Sequence, residues 1–159
     1  MASALAADAI CDGIAAGNPD AGELCAIFQA ANAAIIDRQA VPGQEDMKTT
    51  AIALFVASDR AVWAHVGDSR LYRFSGDTLT QVTRDHSVSY MKYLGGEISR
   101  MDVYHDDDRP RLLRALGREP CRPEAAECVP AEGDAFLLCS DGFWEYVYQE
   151  EILADLLKA

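Results

Sequence analysis

The chain has 159 residues, half of them apolar, which is enough for one domain with a hydrophobic core and too few for two. Its 26 Asp and Glu residues outnumber 14 Lys and Arg residues and give a formal net charge of -12. This charge repels the phosphate backbone of nucleic acids and the surface of anionic membranes, so neither is expected as a partner. Acidic surfaces are common on soluble proteins, and carboxylates can also gather divalent cations.

Five cysteines are scattered along the chain, without the paired Cys-x-x-Cys spacing of zinc sites. Their odd number argues against a disulfide framework and favours a reducing compartment. No apolar run approaches the roughly 20 residues of a membrane span, and the N-terminus lacks a basic region followed by an apolar one. The sequence therefore predicts a cytoplasmic protein that does not cross a membrane.

The first 40 residues are rich in alanine and predict two helices. Asn18 is expected to cap the second helix, with Pro19 and Asp20 in its first turn. Apolar residues between Leu24 and Ile35 recur at the i, i+3, i+4, i+7 spacing of one helix face. The second helix is therefore expected to pack an apolar stripe against a flat partner.

From Lys48 onward the apolar residues take the spacing of β-strands. Segments 51–57, 62–66, 71–74 and 79–83 are separated by polar turns and predict a four-stranded antiparallel meander. Between His86 and Arg111 this periodicity is lost, which predicts a short helix followed by a mobile surface excursion. Further on, residues 135–139 predict a buried strand and residues 150–157 predict a C-terminal helix.

Asp141 follows the strand at residues 135–139 and precedes Gly142, a position that holds a carboxylate rigidly and leaves room for an ion. The alternative is that Asp141 only caps the following turn or helix, and its position alone does not decide between the two. Glu145 lies one helical turn further along, so both carboxylates could share one cation. Asp68, in Gly67-Asp68-Ser69, has an equally ordinary interpretation as a turn residue bonded to local amides.

Other polar residues give weaker signals. His86 and Ser87 are neighbours in the sequence, whereas a catalytic Ser-His relay is built in space, so a Ser-His hydrolase is disfavoured. His65 and His105 are more typical of structural or surface histidines than of metal ligands. The acidic run at residues 106–108 is typical of a solvated turn, because consecutive carboxylates point in different directions.

Five segments, in order, resemble successive motifs of the PPM-type (type 2C) metal-dependent protein serine/threonine phosphatases, in the style of the bacterial enzymes that oppose Ser/Thr kinases. These segments are Met47–Ala51, Val66–Tyr72, Leu79–Ser87, Arg111–Gly117 and Leu137–Glu145. The resemblance implies an α+β fold in which an antiparallel β-sandwich is flanked by helices. It also implies a single phosphatase-like domain over residues 1–159, with a flap-like excursion over residues 86–110.

The resemblance implies a chemistry as well. In this family a pair of Mn²⁺ or Mg²⁺ ions activates a bridging water for in-line attack on phosphorus. Asp141 matches the family aspartate that binds one ion of the pair, while Asp68 and Glu145 match positions associated with a further, more weakly held ion. The implied substrates are proteins phosphorylated on Ser or Thr, and a Ser/Thr kinase is a candidate partner.

Several family motifs have no counterpart in these residues, namely an N-terminal Asn-x-Asp type element, a phosphate-binding Arg, an Asp-Gly-x-Gly-Gly loop and a late Asp-Asn motif. The domain is therefore expected to be incomplete at both ends, with exposed sheet edges that favour self-association. Two alternatives to an active enzyme stay open. One is a catalytically inactive phosphatase-like module that binds a phosphoprotein or regulates a kinase, and the other is an α/β interaction domain without a ligand.

Overall fold

The computed structural model describes residues 1–158, which form two compact units. The first unit contains Met1–Gly67 and Leu113–Pro130, and the second contains Asp68–Leu112 and the chain from Ala131 onward. In chain order the elements are α1 (Ala2–Ala15), α2 (Ala21–Gln39), β1 (Ala51–Val56), β2 (Ala61–Val66), β3 (Arg70–Ser75), β4 (Thr78–Gln81), α3 (Val88–Leu94), a 3-10 helix (Asp102–Tyr104), β5 (Glu124–Cys128), β6 (Ala135–Cys139), α4 (Asp141–Trp144) and α5 (Gln149–Leu156). This combination of helices and antiparallel strands confirms the α+β class.

The first unit is built on an antiparallel sheet with strand order β1-β2-β5. Its central strand, β2, is buried along its whole length, which fits its apolar sequence. Helix α2 packs its predicted apolar stripe, including Leu24, Phe28 and Ile35, into a core shared with Val62 and Val66. Because α2 and β2 are both buried here, burial of this face supplies the main stabilisation of the first unit.

The N-terminus of α2 corrects one prediction. Its N-cap is Asp20, whose carboxylate accepts the backbone N–H of Glu23 at 2.8 Å, while Glu23 accepts the backbone N–H of Asp20 at 2.9 Å. This reciprocal capping box satisfies two backbone N–H donors at the start of the helix. A single side chain at Asn18 would satisfy fewer of them. The prediction of Asn18 as the cap was therefore wrong by two residues.

The second unit is built on a separate antiparallel sheet with strand order β4-β3-β6. Helix α5 packs on this sheet, and its Ile152 contributes to a small core with Tyr72 and Leu79. The predicted four-stranded meander was wrong, because β1 and β2 belong to one sheet and β3 and β4 to the other. The chain turns at Gly67, directly after β2. The backbone of Gly67 has a φ of +108°, a conformation that favours glycine and does not continue a strand.

The stretch from His86 to Arg111 contains the predicted short helix, α3. Two residues of its 3-10 helix, Val103 and Tyr104, are buried, so the segment is anchored in the second unit. The flap over residues 86–110 stays a prediction. The structure also contains β5, which was not predicted because Ala and Glu are poor strand formers. Among residues 1–158, each helix is too short or too polar to span a lipid bilayer.

Candidate functional site

Asp141 begins the short helix α4, directly after strand β6 and the N-cap residue Ser140. Its side chain is exposed, and its Oδ1 accepts the backbone N–H of Gly142 at 2.8 Å. The helix cap itself is Ser140, so Asp141 is the first residue of the helix and its part as a metal ligand stays a prediction. One oxygen of Asp141 supports the helix start, and the carboxylate as a whole stands at the end of a strand where an ion can reach it.

Asp68 lies in the turn that precedes β3 and is only 8% exposed. Its backbone carbonyl accepts a hydrogen bond from the indole Nε1 of Trp144 at 2.9 Å. Trp144 is the last residue of α4, the helix that Asp141 begins. This hydrogen bond therefore fixes the turn of Asp68 to the helix of Asp141, two segments that are far apart in the sequence.

The electrostatics of Asp68 show that these carboxylates influence one another. Burial is the largest cause that raises the pKa of Asp68, and together with the negative charges of Asp85 and Asp141 it brings this pKa to about 6. A buried acid surrounded by like charges is the arrangement that a bound cation stabilises, because the cation favours the ionised carboxylates. The structure thus brings Asp68 and Asp141 into one electrostatic site.

Glu145 has a different partner. It follows α4, and its Oε1 lies 2.7 Å from Nε of Arg109. The Nε–H of Arg109 does not point at an acceptor, so the contact is an ion pair without a good hydrogen bond. The carboxylate oxygens of Asp68, Asp141 and Glu145 do not all lie within 4.8 Å of one another. The three residues are therefore not assembled around one point, and Glu145 already faces a cation.

A buried ion pair lies behind the site. The guanidinium of Arg70 is 2.7 Å from Oδ2 of Asp85, and both side chains are almost fully buried. Burial opposes the charge of Arg70, but Asp85 more than offsets this, so the pKa of the guanidinium is raised. The same guanidinium carbon lies 3.6 Å from the ring centroid of Trp144, within cation–π distance. Arg70 therefore holds the indole that in turn holds Asp68.

This supporting layer of Arg70, Asp85 and Trp144 was missed in the sequence, although all three lie inside the motifs that carried the resemblance. The sequence did contain a signal for this layer, because charged residues lie beside strands that were expected to be buried. Buried charges are normally paired, so a buried ion pair could have been predicted. The sequence does not show which carboxylate is the partner, because Arg70 and Asp85 are 15 residues apart.

Asp85 and Ser87, the two neighbours of His86 in the sequence, have structural roles. Asp85 accepts hydrogen bonds from Arg70 and from Gln81. Ser87 is the N-cap of α3, and its hydroxyl accepts the backbone N–H of Tyr90 at 3.3 Å.

The acidic run at residues 106–108 is more than a solvated turn, because Lys92 forms ion pairs with both Asp106 and Asp108.

Comparison with known proteins identifies the family of this chain. The model of the family named protein phosphatase 2C matches residues 1–159. This chain belongs to the protein phosphatase 2C family. It is 40% identical over 114 residues to the serine/threonine phosphatase stp of Listeria welshimeri. The matched segment covers 71% of this chain and 45% of that protein. It is also 33% identical over 135 residues to the serine/threonine protein phosphatase PstP of Mycobacterium tuberculosis, covering 84% of this chain and 26% of that protein.

Solved structures of this phosphatase 2C family have the same fold. A crystal structure of the catalytic domain of PstP in complex with two manganese ions superposes with a TM-score of 0.87 at 30% identity, covering 98% of this chain and 66% of that one. These matches confirm the family inferred from the five sequence motifs. The chain spans less than half the length of the curated relatives named above, at 45% and 26%.

Proposed function

We propose that this phosphatase 2C chain contributes to the metal-dependent hydrolysis of phosphoserine and phosphothreonine in proteins. The observation that carries the proposal is the hydrogen bond from Trp144, in the helix that Asp141 begins, to the backbone carbonyl of Asp68, in a chain of this family whose Asp68 and Asp141 carboxylates influence each other electrostatically. The names of its relatives, a serine/threonine phosphatase and a serine/threonine protein phosphatase, support the substrate class.

The residues present fit a hard divalent cation. Asp68 and Asp141 offer carboxylate oxygens, the ligands that Mn²⁺ and Mg²⁺ take. The pKa of Asp68 is raised first by burial and then by neighbouring negative charges, which a cation would compensate. The two manganese ions of the PstP structure support the choice of metal. When bound, such ions supply Lewis-acid charge and an activated water for attack on phosphorus.

The roles of the individual residues follow from their surroundings. Asp141, being exposed, would meet the ion directly, while buried Asp68 would hold its carboxylate in a fixed place. Glu145 would have to leave Arg109 before it could bind an ion, so its part as a ligand stays a weaker prediction. Arg70 and Asp85 would keep the indole of Trp144 in place and would touch neither metal nor substrate.

The experiment measures release of phosphate from a phosphothreonine peptide with Mn²⁺ present, together with calorimetric titration of Mn²⁺ into the metal-free chain. We expect Asp141→Asn to abolish turnover and to weaken Mn²⁺ binding at least about tenfold, because a neutral amide replaces a charged ligand. Asp155→Asn is the matched control, since it removes the same charge from an exposed residue of α5. Equal behaviour of the two variants would exclude Asp141 from the metal site.

A second function is favoured by one specific observation, the ion pair between Glu145 and Arg109. A carboxylate already neutralised by arginine is a poor metal ligand, which suits a catalytically inactive phosphatase-like module that binds a phosphoprotein or regulates a kinase. Such a module binds a phosphopeptide without turnover and equally well with and without Mn²⁺. Binding that requires the metal would favour the enzyme instead.

Further proposals concern the surroundings of the protein. A Ser/Thr kinase that opposes this phosphatase is a candidate partner, as is a second copy of the chain paired through sheet edges. We place the protein in the cytoplasm, and its five free cysteines support a reducing compartment.

A further inference from the structure

The first unit contains a pocket lined by three arginines. Arg114, Arg118 and Arg122 surround a volume of about 290 Å³, and Glu119 is the acidic residue that also lines it. Three positive charges so close together stand out in a chain whose net charge is -12. A concentration of positive charge on an acidic protein marks a local site for an anion.

Most of this positive charge is not neutralised locally. Arg114 pairs with Glu124 at 2.8 Å. The oxygens of Glu119 are used elsewhere, one accepting Nδ2–H of Asn32 at 3.0 Å and the other accepting the backbone N–H of Cys121 at 3.2 Å. Within the part of the chain that the structure describes, Arg118 and Arg122 have no ion-pair partner. Two guanidinium groups are therefore available to a ligand.

The loop that carries these arginines is fixed to α2. Asn32 is 1% exposed, and its Oδ1 accepts the backbone N–H of Gly117 at 2.7 Å. Gln39 donates to the backbone oxygens of Gly117 and Met47 at 2.9 and 2.7 Å. Gly117 has a φ of +86°, and a Cβ at this position would clash with the backbone oxygen of Met47. The pocket therefore has a rigid base, which lowers the cost of ordering a ligand site.

We propose that this three-arginine pocket binds an oxyanion of the phosphate class. Guanidinium groups present paired N–H donors in a plane that matches the oxygens of phosphate, and such charge-assisted bonds are stronger than neutral ones. The pocket is larger than a bare phosphate ion, so it also accommodates part of the group that carries the phosphate. The proposal uses none of the residues assigned to the metal site and does not depend on the proposed hydrolysis.

The test titrates inorganic phosphate into the metal-free chain, with EDTA present and ionic strength held constant, and follows the backbone amides by NMR. We expect saturable shifts at Arg118 and Arg122, and binding about tenfold weaker in the double variant R118Q/R122Q. The control R38Q/R60Q removes the same charge from the first unit outside the pocket, and its affinity should change less than about twofold. Chloride at the same ionic strength should cause no saturable shift.

A second arm separates the two sources of phosphate. A phosphoserine peptide that shifts the same amides and binds more tightly than inorganic phosphate identifies a phosphoprotein ligand. If inorganic phosphate binds and the peptide does not, the ligand is free phosphate. Equal weakening in the two double variants, or equal binding of the phosphorylated and unphosphorylated peptides, would overturn the proposal. Loss of hydrolysis in the Asp141→Asn variant leaves this result unchanged, so the two proposals fail separately.

Discussion

A single N–H group of Trp144 connects the helix that begins at Asp141 to the turn that carries Asp68, through the backbone carbonyl of Asp68. Trp144→Phe keeps an aromatic ring beside Arg70 but removes the donor to the Asp68 carbonyl. We expect a loss of about 1 kcal/mol in the free energy of unfolding, the usual net value of one hydrogen bond. We also expect weaker Mn²⁺ binding and faster amide hydrogen exchange around Asp68, because the turn loses its anchor.

The matched control for this substitution is Trp63→Phe, a similarly buried tryptophan in the first unit. It should change stability without changing hydrogen exchange around Asp68. Mn²⁺ affinity that stays the same in Trp144→Phe as in the unmodified chain would show that the indole does not position the site.

Removing one partner of the buried Arg70–Asp85 ion pair should destabilise the protein more than removing both. Asp85→Ala leaves a buried guanidinium without its counter-ion, which costs about 3–5 kcal/mol of stability. The double variant R70M/D85L removes both charges, so it should lose less than Asp85→Ala alone. Urea unfolding measures both values, and a double variant that is less stable than the single one would contradict this account.

At the scale of residues, the position of Asp141 at a strand end indicated either an ion site or a cap, and Asp68 became a candidate through the family resemblance. Both stay predictions as metal ligands. Glu145 was predicted to share an ion with Asp141, because it lies one helical turn further along the chain. The structure turns Glu145 toward Arg109, a residue 36 positions earlier in the chain than Glu145. Ion pairs between residues this far apart depend on tertiary packing, which the spacing of neighbouring residues does not reveal.

Among the elements, α2 offers a direct test of its capping box. Asp20→Ala removes the acceptor for the Glu23 N–H and should destabilise the protein by about 1 kcal/mol. Asn18→Ala is the control and should cost less than about 0.5 kcal/mol, because Asn18 lies outside the cap. Thermal unfolding of the two variants compares them directly, and a larger loss for Asn18→Ala would restore Asn18 as the important residue.

The strands illustrate what a local pattern can and cannot predict. All four segments between residues 51 and 83 form strands close to their predicted bounds, since alternation and apolar runs are properties of neighbouring residues. Their division between two sheets was not predicted, because it depends on the turn at Gly67 and on later strands. Strand β5 completes the first sheet and β6 the second, and both lie more than 40 residues further along.

At the scale of the whole molecule, each sheet has two edge strands, and they differ in how well they resist pairing with another chain. β5 carries Glu124 and Glu127, and such charges discourage association at an edge. β1, with the sequence Ala-Ile-Ala-Leu-Phe-Val, has neither a charge nor a proline. Short apolar strands of this kind are the segments most prone to pair edge to edge.

We therefore expect the chain to self-associate through β1 in a concentration-dependent way. Val56, which is 53% exposed at the end of β1, is the position where a charge disturbs the edge without disturbing the core. Val56→Lys should shift light scattering toward the monomer, since a charged edge opposes strand addition. Val129→Lys adds the same charge at a valine that is 74% exposed and lies just beyond β5, so it should leave association unchanged. A chain that is monomeric at all concentrations, or two variants that behave alike, would show that the edge of β1 is not the contact.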